Sequence, residues 1–139
     1  MLLLTLGRSA VVAGLLVAGS AHAAHAQTYV TTTAHRLPPE RLDSLRALIQ
    51  VGKPAVEAAK RRGGIADVYW LIHAWGGEYN AIEVITWTSW AAVGDPTLNV
   101  EGSYPTVYPD PEQRKRVEAA WSWVFAGVHH EDNIYFKVP

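Results

Sequence analysis

The order in which hydrophobic periodicity changes along this chain constrains its fold more than any short motif in it. From Thr28 to Val138 the pattern reads strand, helix, strand, strand, helix, strand. A chain with this βαββαβ order is an α+β protein: four antiparallel strands form one sheet, two helices pack on one face, and the other face is bare. A bare face carrying large apolar side chains has to be covered, so any ligand or partner surface is expected there.

The first strand, Tyr29 to Arg36, is rich in β-branched residues and is stopped by Pro38-Pro39. In the helix that follows, Leu42, Leu45, Ile49, Val56 and Ala59 form one apolar stripe. Gly52-Lys53-Pro54 is expected to kink or split that helix. Lys60-Arg61-Arg62 followed by Gly63-Gly64 reads as a helix C-terminus, with cations at the negative end of the dipole and a glycine free to turn left-handed. The second strand spans Ile65 to His73 and the third Tyr79 to Thr86, joined by a three-residue glycine hairpin at Trp75-Gly76-Gly77.

Parity then assigns the faces. Ala66, Val68, Trp70 and Ile72 of the second strand are apolar and should face the helices; a three-residue loop sets Ile82, Val84 and Thr86 of the third beside them. Asp67, Tyr69, Leu71 and His73, with Tyr79, Ala81, Glu83, Ile85 and Trp87, fall on the open face. His35 of the first strand and Tyr135 of the last join them, the last strand running from Asn133 to Val138 with Ile134 and Phe136 toward the helices. Between the third strand and the last helix, Ser89 to Val93 can form one helical turn, and a long irregular loop runs from Gly94 to Pro109. Asp110-Pro111 is a helix start, Val117, Ala120, Trp121, Val124 and Phe125 form the buried stripe of that helix, and Gly127 closes it. Trp123 falls off the stripe, at an edge or a dimer seam.

Residues 1–26 read as an export signal, leaving 27–139 as a single domain. Leu2 to Gly19 is almost wholly apolar, and Ala21-x-Ala23 and Ala24-x-Ala26 both suit signal peptidase. Cleavage leaves no membrane anchor; the alternative is an uncleaved span. With no cysteine, the chain tolerates an oxidising compartment without using disulfides. Loss of Arg8 leaves 11 basic residues against 13 acidic ones, a formal charge of −2, so nothing favours a nucleic-acid partner. Six Trp and six Tyr suit an apolar pocket or a dimer interface as well as a core.

The element order, the domain length, and Ile85-Thr86-Trp87-Thr88-Ser89-Trp90 at the end of the third strand together resemble the dimeric α+β barrel superfamily. This is a ferredoxin-like group that includes the antibiotic-biosynthesis monooxygenase-like and NIPSNAP-like proteins. The resemblance implies that two copies close their open sheet faces into a barrel as a homodimer. It also implies a small-molecule pocket between each sheet and the loop after the third strand. The haem-degrading branch of the group uses an asparagine on the first strand, a tryptophan on the third and a histidine on the last helix. Trp87 matches the tryptophan, but threonines replace the asparagine and no histidine precedes His129, so haem degradation is not supported. Flavin and nicotinamide fingerprints are absent, and no cofactor is expected.

In an apolar pocket, partial desolvation moves a histidine or carboxylate toward a neutral working pKa, as proton abstraction from a phenol or an activated carbon requires. His73 and Glu83, with Tyr69 across the strand pair from Glu83, are the candidate catalytic groups. Ligand contacts are expected from His35, Asp67, Leu71, Ile85, Trp87, Trp90 and Tyr135. The alternative gives these groups structural roles, with Glu83 paired to Lys137 or to an arginine of the second subunit and His35 exposed at a strand end. His129-His130-Glu131-Asp132 lacks the spacing that sets two ligands on one metal, and no metal is expected. Ser89 has no nucleophile-elbow glycines, and Ser103 and Ser122 no recognisable partner. Two functions remain. One is an exported barrel dimer that binds a small hydrophobic or aromatic molecule, with cofactor-independent monooxygenase-like or proton-transfer chemistry; the other is a non-catalytic dimerising module for binding or stress. A void lined by Tyr69, His73, Glu83 and Trp87 and reachable from the loop at Gly94 to Pro109 favours the first, and facing side chains that fill it favour the second.

Overall fold

The computed structural model describes residues 28–73 and 77–136. Residues 1–26, read above as an export signal, Trp75 and Gly76 of the hairpin, and Lys137 and Val138 lie outside the described residues. Strand β1 (Tyr29–His35) leads into helix α1 (Pro39–Arg61), then strands β2 (Ile65–Ile72) and β3 (Ala81–Trp87). A short helix α2 (Trp90–Val93), a 3₁₀ turn at Glu101–Ser103 and helix α3 (Tyr104–Val107) precede helix α4 (Pro111–Phe125) and strand β4 (His130–Phe136). All strand pairs are antiparallel in the order β2-β3-β1-β4, so β1 and β3 are central and β2 and β4 are edges. This is the ferredoxin-like α+β sandwich expected from the element order.

Helix α1 runs unbroken for 23 residues through Pro54, against the expected split. Packing overrides local propensity here, because Leu45, Ala55 and Ala59 are fully buried along its inner stripe. Burying a leucine such as Leu45 contributes about 1.5–3 kcal/mol, enough to offset a weak position in the helix. Gly52 serves that packing: a Cβ there would stand 3.4 Å from the Trp121 ring of α4. The helix ends as its sequence suggests, with Gly63 at φ +84°. Asn80 fastens the β1–α1 corner to β3, its side chain accepting from Leu37 N at 2.9 Å and donating to Leu37 O at 2.8 Å.

The register of the hairpin overturns half of the face assignment. Val68 pairs with Ile85, Trp70 with Glu83 and Ile72 with Ala81, so even positions of β2 share a face with odd positions of β3. The eight residues from His73 to Asn80 join the paired ends, and His73 N still donates to Asn80 O at 3.2 Å, so the loop is of even length rather than three residues. Through β1, Thr33 pairs with Glu83 and His35 with Ala81. Glu83, Ile85, Trp87 and His35 therefore lie beneath the helices, whereas Ile82, Val84 and Thr86 lie on the open face. Asp67, Tyr69, Leu71 and Tyr135 are on the open face as expected, Tyr69, Leu71 and Tyr135 well exposed. A bulge at Ala66 turns Ile65 back to the core.

Strand β4 begins at His130, earlier than expected, and takes in most of the His129–Asp132 run. Ile134 and Phe136 are on the helix-covered side of the sheet but remain 49% and 57% exposed, Phe136 packing edge-on against Tyr29 at 5.6 Å. The long loop is built rather than irregular. Ser89 Oγ accepts from Ala92 N to start α2, Tyr104 and Tyr108 are buried against α1, and Tyr108 Oη donates to Val51 O at 2.7 Å. Arg62 donates to Asn99 O at 2.6 Å and to Gly102 O, and a Cβ at Gly102 would meet Pro96 O at 2.6 Å, so only glycine fits this fold of the chain. Asp110 caps α4, accepting from Glu112 N at 3.0 Å, and Arg41 donates to Val124 O and Ala126 O at its other end. Among the described residues no helix is long and apolar enough to cross a membrane.

Candidate functional site

Between the sheet's helix-covered face and the helices lies a cavity of about 710 Å³. Thr33 and His35 of β1, Val68 and Trp70 of β2 and Glu83 of β3 form its floor; Ile49, Gly52 and Val56 of α1 and Trp121 and Phe125 of α4 form its walls. Val100, Glu101 and Tyr104, from the loop after β3, close one side. The space is large enough for a bicyclic organic molecule.

Its aromatic wall is a stack. Trp70 and Phe125 lie 5.9 Å apart at 15°, Trp121 and Phe125 6.0 Å apart at 6°, and the His35 ring sits 4.3 Å from Phe125 and 6.0 Å from Trp70. Burial and the neighbouring His130 push the His35 imidazole down to about 4, so it is neutral near pH 7. Its Nδ1, like the Trp121 Nε1, is buried without a hydrogen-bond partner among the described residues.

Glu83 is the acidic group of the floor. It has no hydrogen bond or ion pair among the described residues, and its partners across the strands are Thr33 and Trp70. Burial first, and then the carboxylate of Glu101, push the Glu83 carboxyl up to about 7. Tyr104 responds to the same surroundings: burial and then Glu101 raise its phenol, with lesser contributions from Tyr108, Glu83 and Glu118, so it remains an O–H donor at the cavity wall. An unpaired carboxylate that titrates near neutrality beside a protonated phenol can take up and return a proton.

Of the residues expected to form the site, Glu83 and His35 lie on the floor of this cavity, whereas Asp67 and Tyr69 belong to the other face of β2 and only border it. Asp67 accepts from Lys60 at 3.5 Å, and Tyr69 pairs with Val84 on the opposite face from Glu83 rather than across from Glu83. His73 is tied into the hairpin by a hydrogen bond between its Nε2 and Tyr79 O. Trp87 is 5% exposed, packs with Ile85, Ile65 and Ala59 under α1 and donates to Thr31 Oγ1 at 2.9 Å, which makes it core. Trp90 is exposed and packs 5.7 Å from Tyr29, away from the cavity, while Leu71 and Tyr135 stay on the open face. Sequence reasoning missed Trp70, Trp121, Phe125, Thr33, Glu101 and Tyr104. The available signal was the apolar even positions of β2, which already placed Trp70 under the helices next to whichever β3 set faced them. Among the described residues no group of three or more His, Asp or Glu side chains is placed to hold a metal ion; in the His129–Asp132 run, His130 lies 3.7 Å from Asp132 in an exposed pair.

The same fold occurs in a dimeric ferredoxin-like protein from an uncultured marine organism, with a TM-score of 0.51, 10% identity, and coverage of 81% of this chain and 96% of that one. The fold the two share is the ferredoxin-like α+β sandwich. Also similar are a variant of SnoaB, a cofactor-independent oxygenase from Streptomyces nogalater (TM-score 0.46, 8% identity, 81% and 94% covered), and a conserved protein from Methanosarcina mazei (TM-score 0.44, 14% identity, 79% and 92% covered). At these identities the likeness is one of fold. No family model matches the sequence, and no curated protein does.

Because burial raises the folded-state value of Glu83 from 4.5 to about 7, the folded protein holds this proton more tightly than the unfolded chain. Its contribution to stability is complete below pH 4.5 and is lost as pH rises through about 7. Glu83→Gln cannot ionise, so relative to wild type it should gain ~3 kcal/mol between about pH 4.5 and pH 8. Urea unfolding at the two pH values checks this; a constant difference between the proteins would contradict a desolvated Glu83.

Proposed function

We propose that this protein is a small-molecule-binding α+β barrel enzyme in which Glu83 removes a proton from a hydrophobic, ring-bearing substrate held against the aromatic stack. The observation that carries the reading is an unpaired carboxylate on the floor of an aromatic-walled cavity, pushed up to about 7 by burial and Glu101. The substrate's C–H or phenolic O–H bond breaks, its proton passes to a Glu83 carboxylate oxygen, and the electron pair stays on the substrate as an enolate or phenolate. Tyr104 Oη–H and the neutral His35 are the nearby groups able to donate to the developing oxyanion. Such an electron-rich anion is also the species from which cofactor-independent oxygenation by dioxygen begins, so the monooxygenase-like reading and the proton-transfer reading share this first step. Ligand enters beside the loop that carries Glu101 and Tyr104.

The assembly we propose is a homodimer closed through the open sheet face, which carries Tyr69, Leu71 and Tyr135 with their rings and methyls in water. Such a pairing covers the open face and leaves the cavity on the other side of each sheet intact. Residues 1–26 we read as an export leader, which assigns the domain to the periplasm or the exterior.

With 1-indanone as probe, deuterium exchange at the α-carbon in D₂O near pH 7.5 should run faster with the protein than in buffer. Glu83→Gln should lower that catalysed rate by about 10²-fold. Exchange no faster than buffer, or unaffected by the substitution, would remove Glu83 as the base. Independently, Leu71→Glu should convert a dimer to a monomer in sedimentation at micromolar concentration, and an unchanged sedimentation coefficient would place the interface elsewhere.

A further inference from the structure

Helix α1 meets the cavity through Ile49, Gly52 and Val56, spaced three and four residues apart and so on one face. Two branched side chains therefore flank a position that has none, which makes a notch in that wall. Trp121 of α4 fills the notch. A Cβ on Gly52 would stand 3.4 Å from Trp121 Cζ2, so an alanine would just fit and any longer side chain would meet the ring.

Two features of this contact work against stability. Only proline is worse than glycine inside a helix, and Gly52 lies in the interior of a 23-residue helix. Trp121 Cζ2 and Nε1 are bonded to the same ring carbon, so the edge turned to α1 is the one that carries the indole N–H. That Nε1 is buried without a hydrogen-bond partner among the described residues. Packing alone would avoid both costs, since alanine at position 52 improves the helix and leucine at position 121 buries no donor. Sequences break such rules where a site requires it. What the contact provides here is room. With that edge drawn against α1, the indole lies nearly parallel to Phe125, at 6°, and to Trp70, at 22°, in the stack that walls the cavity. A longer side chain at position 52 would either displace the ring from that line or enter the cavity itself, and both narrow the space above Glu83.

We propose that Gly52 is a specificity-determining residue, setting through Trp121 the width of the cavity and with it the broadest flat ring system that reaches Glu83. This rests on the cavity being the ligand site and adds what limits the size of its ligand.

The test measures, by NMR titration, the affinity for two neutral ketones: acetophenone, with one ring, and 2-acetylnaphthalene, with two. Gly52→Leu should weaken 2-acetylnaphthalene about tenfold and leave acetophenone within about twofold, which also reports that the variant is folded. Gly52→Ala should bind both ketones as the wild type does. Adding Trp121→Phe to Gly52→Leu should recover most of the lost affinity for 2-acetylnaphthalene, because the smaller ring gives up the edge that the new side chain meets. Equal weakening of both ketones, weakening of neither, or no recovery in the double variant overturns the inference. Failure of both ketones to bind the wild type overturns it together with the ligand site. Selection by ring breadth in a protein that does not catalyse exchange of 1-indanone would fault the chemistry assigned to Glu83 and support this inference.

Discussion

The structure depends on a register. When Trp70 stands beside Glu83 and Thr33 stands on its other side, the odd residues of β3 are committed to the space beneath the helices, and with them a carboxylate that no side chain of the described chain pairs. A shift by one residue would send Glu83 to the open face and into water, where it would be an ordinary surface acid. Much of the molecule serves to hold this arrangement. Asn80 pins the start of β3 to Leu37 from both backbone directions, the β2 bulge returns Ile65 to the core, and Trp87 locks the far end through Thr31.

An unpaired buried carboxylate is costly to keep ionised, and folds keep such groups where chemistry or binding uses them. The surroundings of Glu83 fit that view. The aromatic stack lowers the local dielectric, Glu101 adds a like charge, and the neutral His35 offers no compensating cation. Trp121 reaches the cavity because Gly52 lets its ring approach α1, and the same glycine precedes the proline that was expected to break the helix. The loop from Gly94 to Pro109 is the other contributor. Its buried tyrosines and the Arg62 hydrogen bonds set Glu101 at the cavity edge, so the least regular part of the sequence delivers a charged group to the site.

The fold was largely legible because it follows from the alternation of periods and from end signals such as Asp110-Pro111 and Gly63. The site was legible only in part. β2 alternates cleanly and gave its faces correctly from Asp67 onward, Ala66 falling instead in the bulge and exposed, whereas Ala81-Ile82-Glu83-Val84-Ile85-Thr86-Trp87 is apolar at both parities apart from Glu83 and Thr86. Its faces were therefore set by an assumed loop length, and a hairpin with eight residues between its paired ends reversed them, taking His35, Glu83, Ile85 and Trp87 with it. Glu83 was picked out for its chemistry and Trp70 for its packing, but nothing in the sequence said they were neighbours. The cavity walls on α4 looked like core because a helix stripe reads the same whether it meets side chains or a void.

The most direct measurement is the titration of the Glu83 carboxyl itself, by carbon NMR of protein labelled at the glutamate side-chain carboxyls, with the resonance assigned by its loss in Glu83→Gln. The account predicts a midpoint near 7, well apart from the other glutamates. A midpoint among the ordinary carboxylates, near 4.5, would mean that Glu83 is solvated and that the cavity beneath the helices is not its environment.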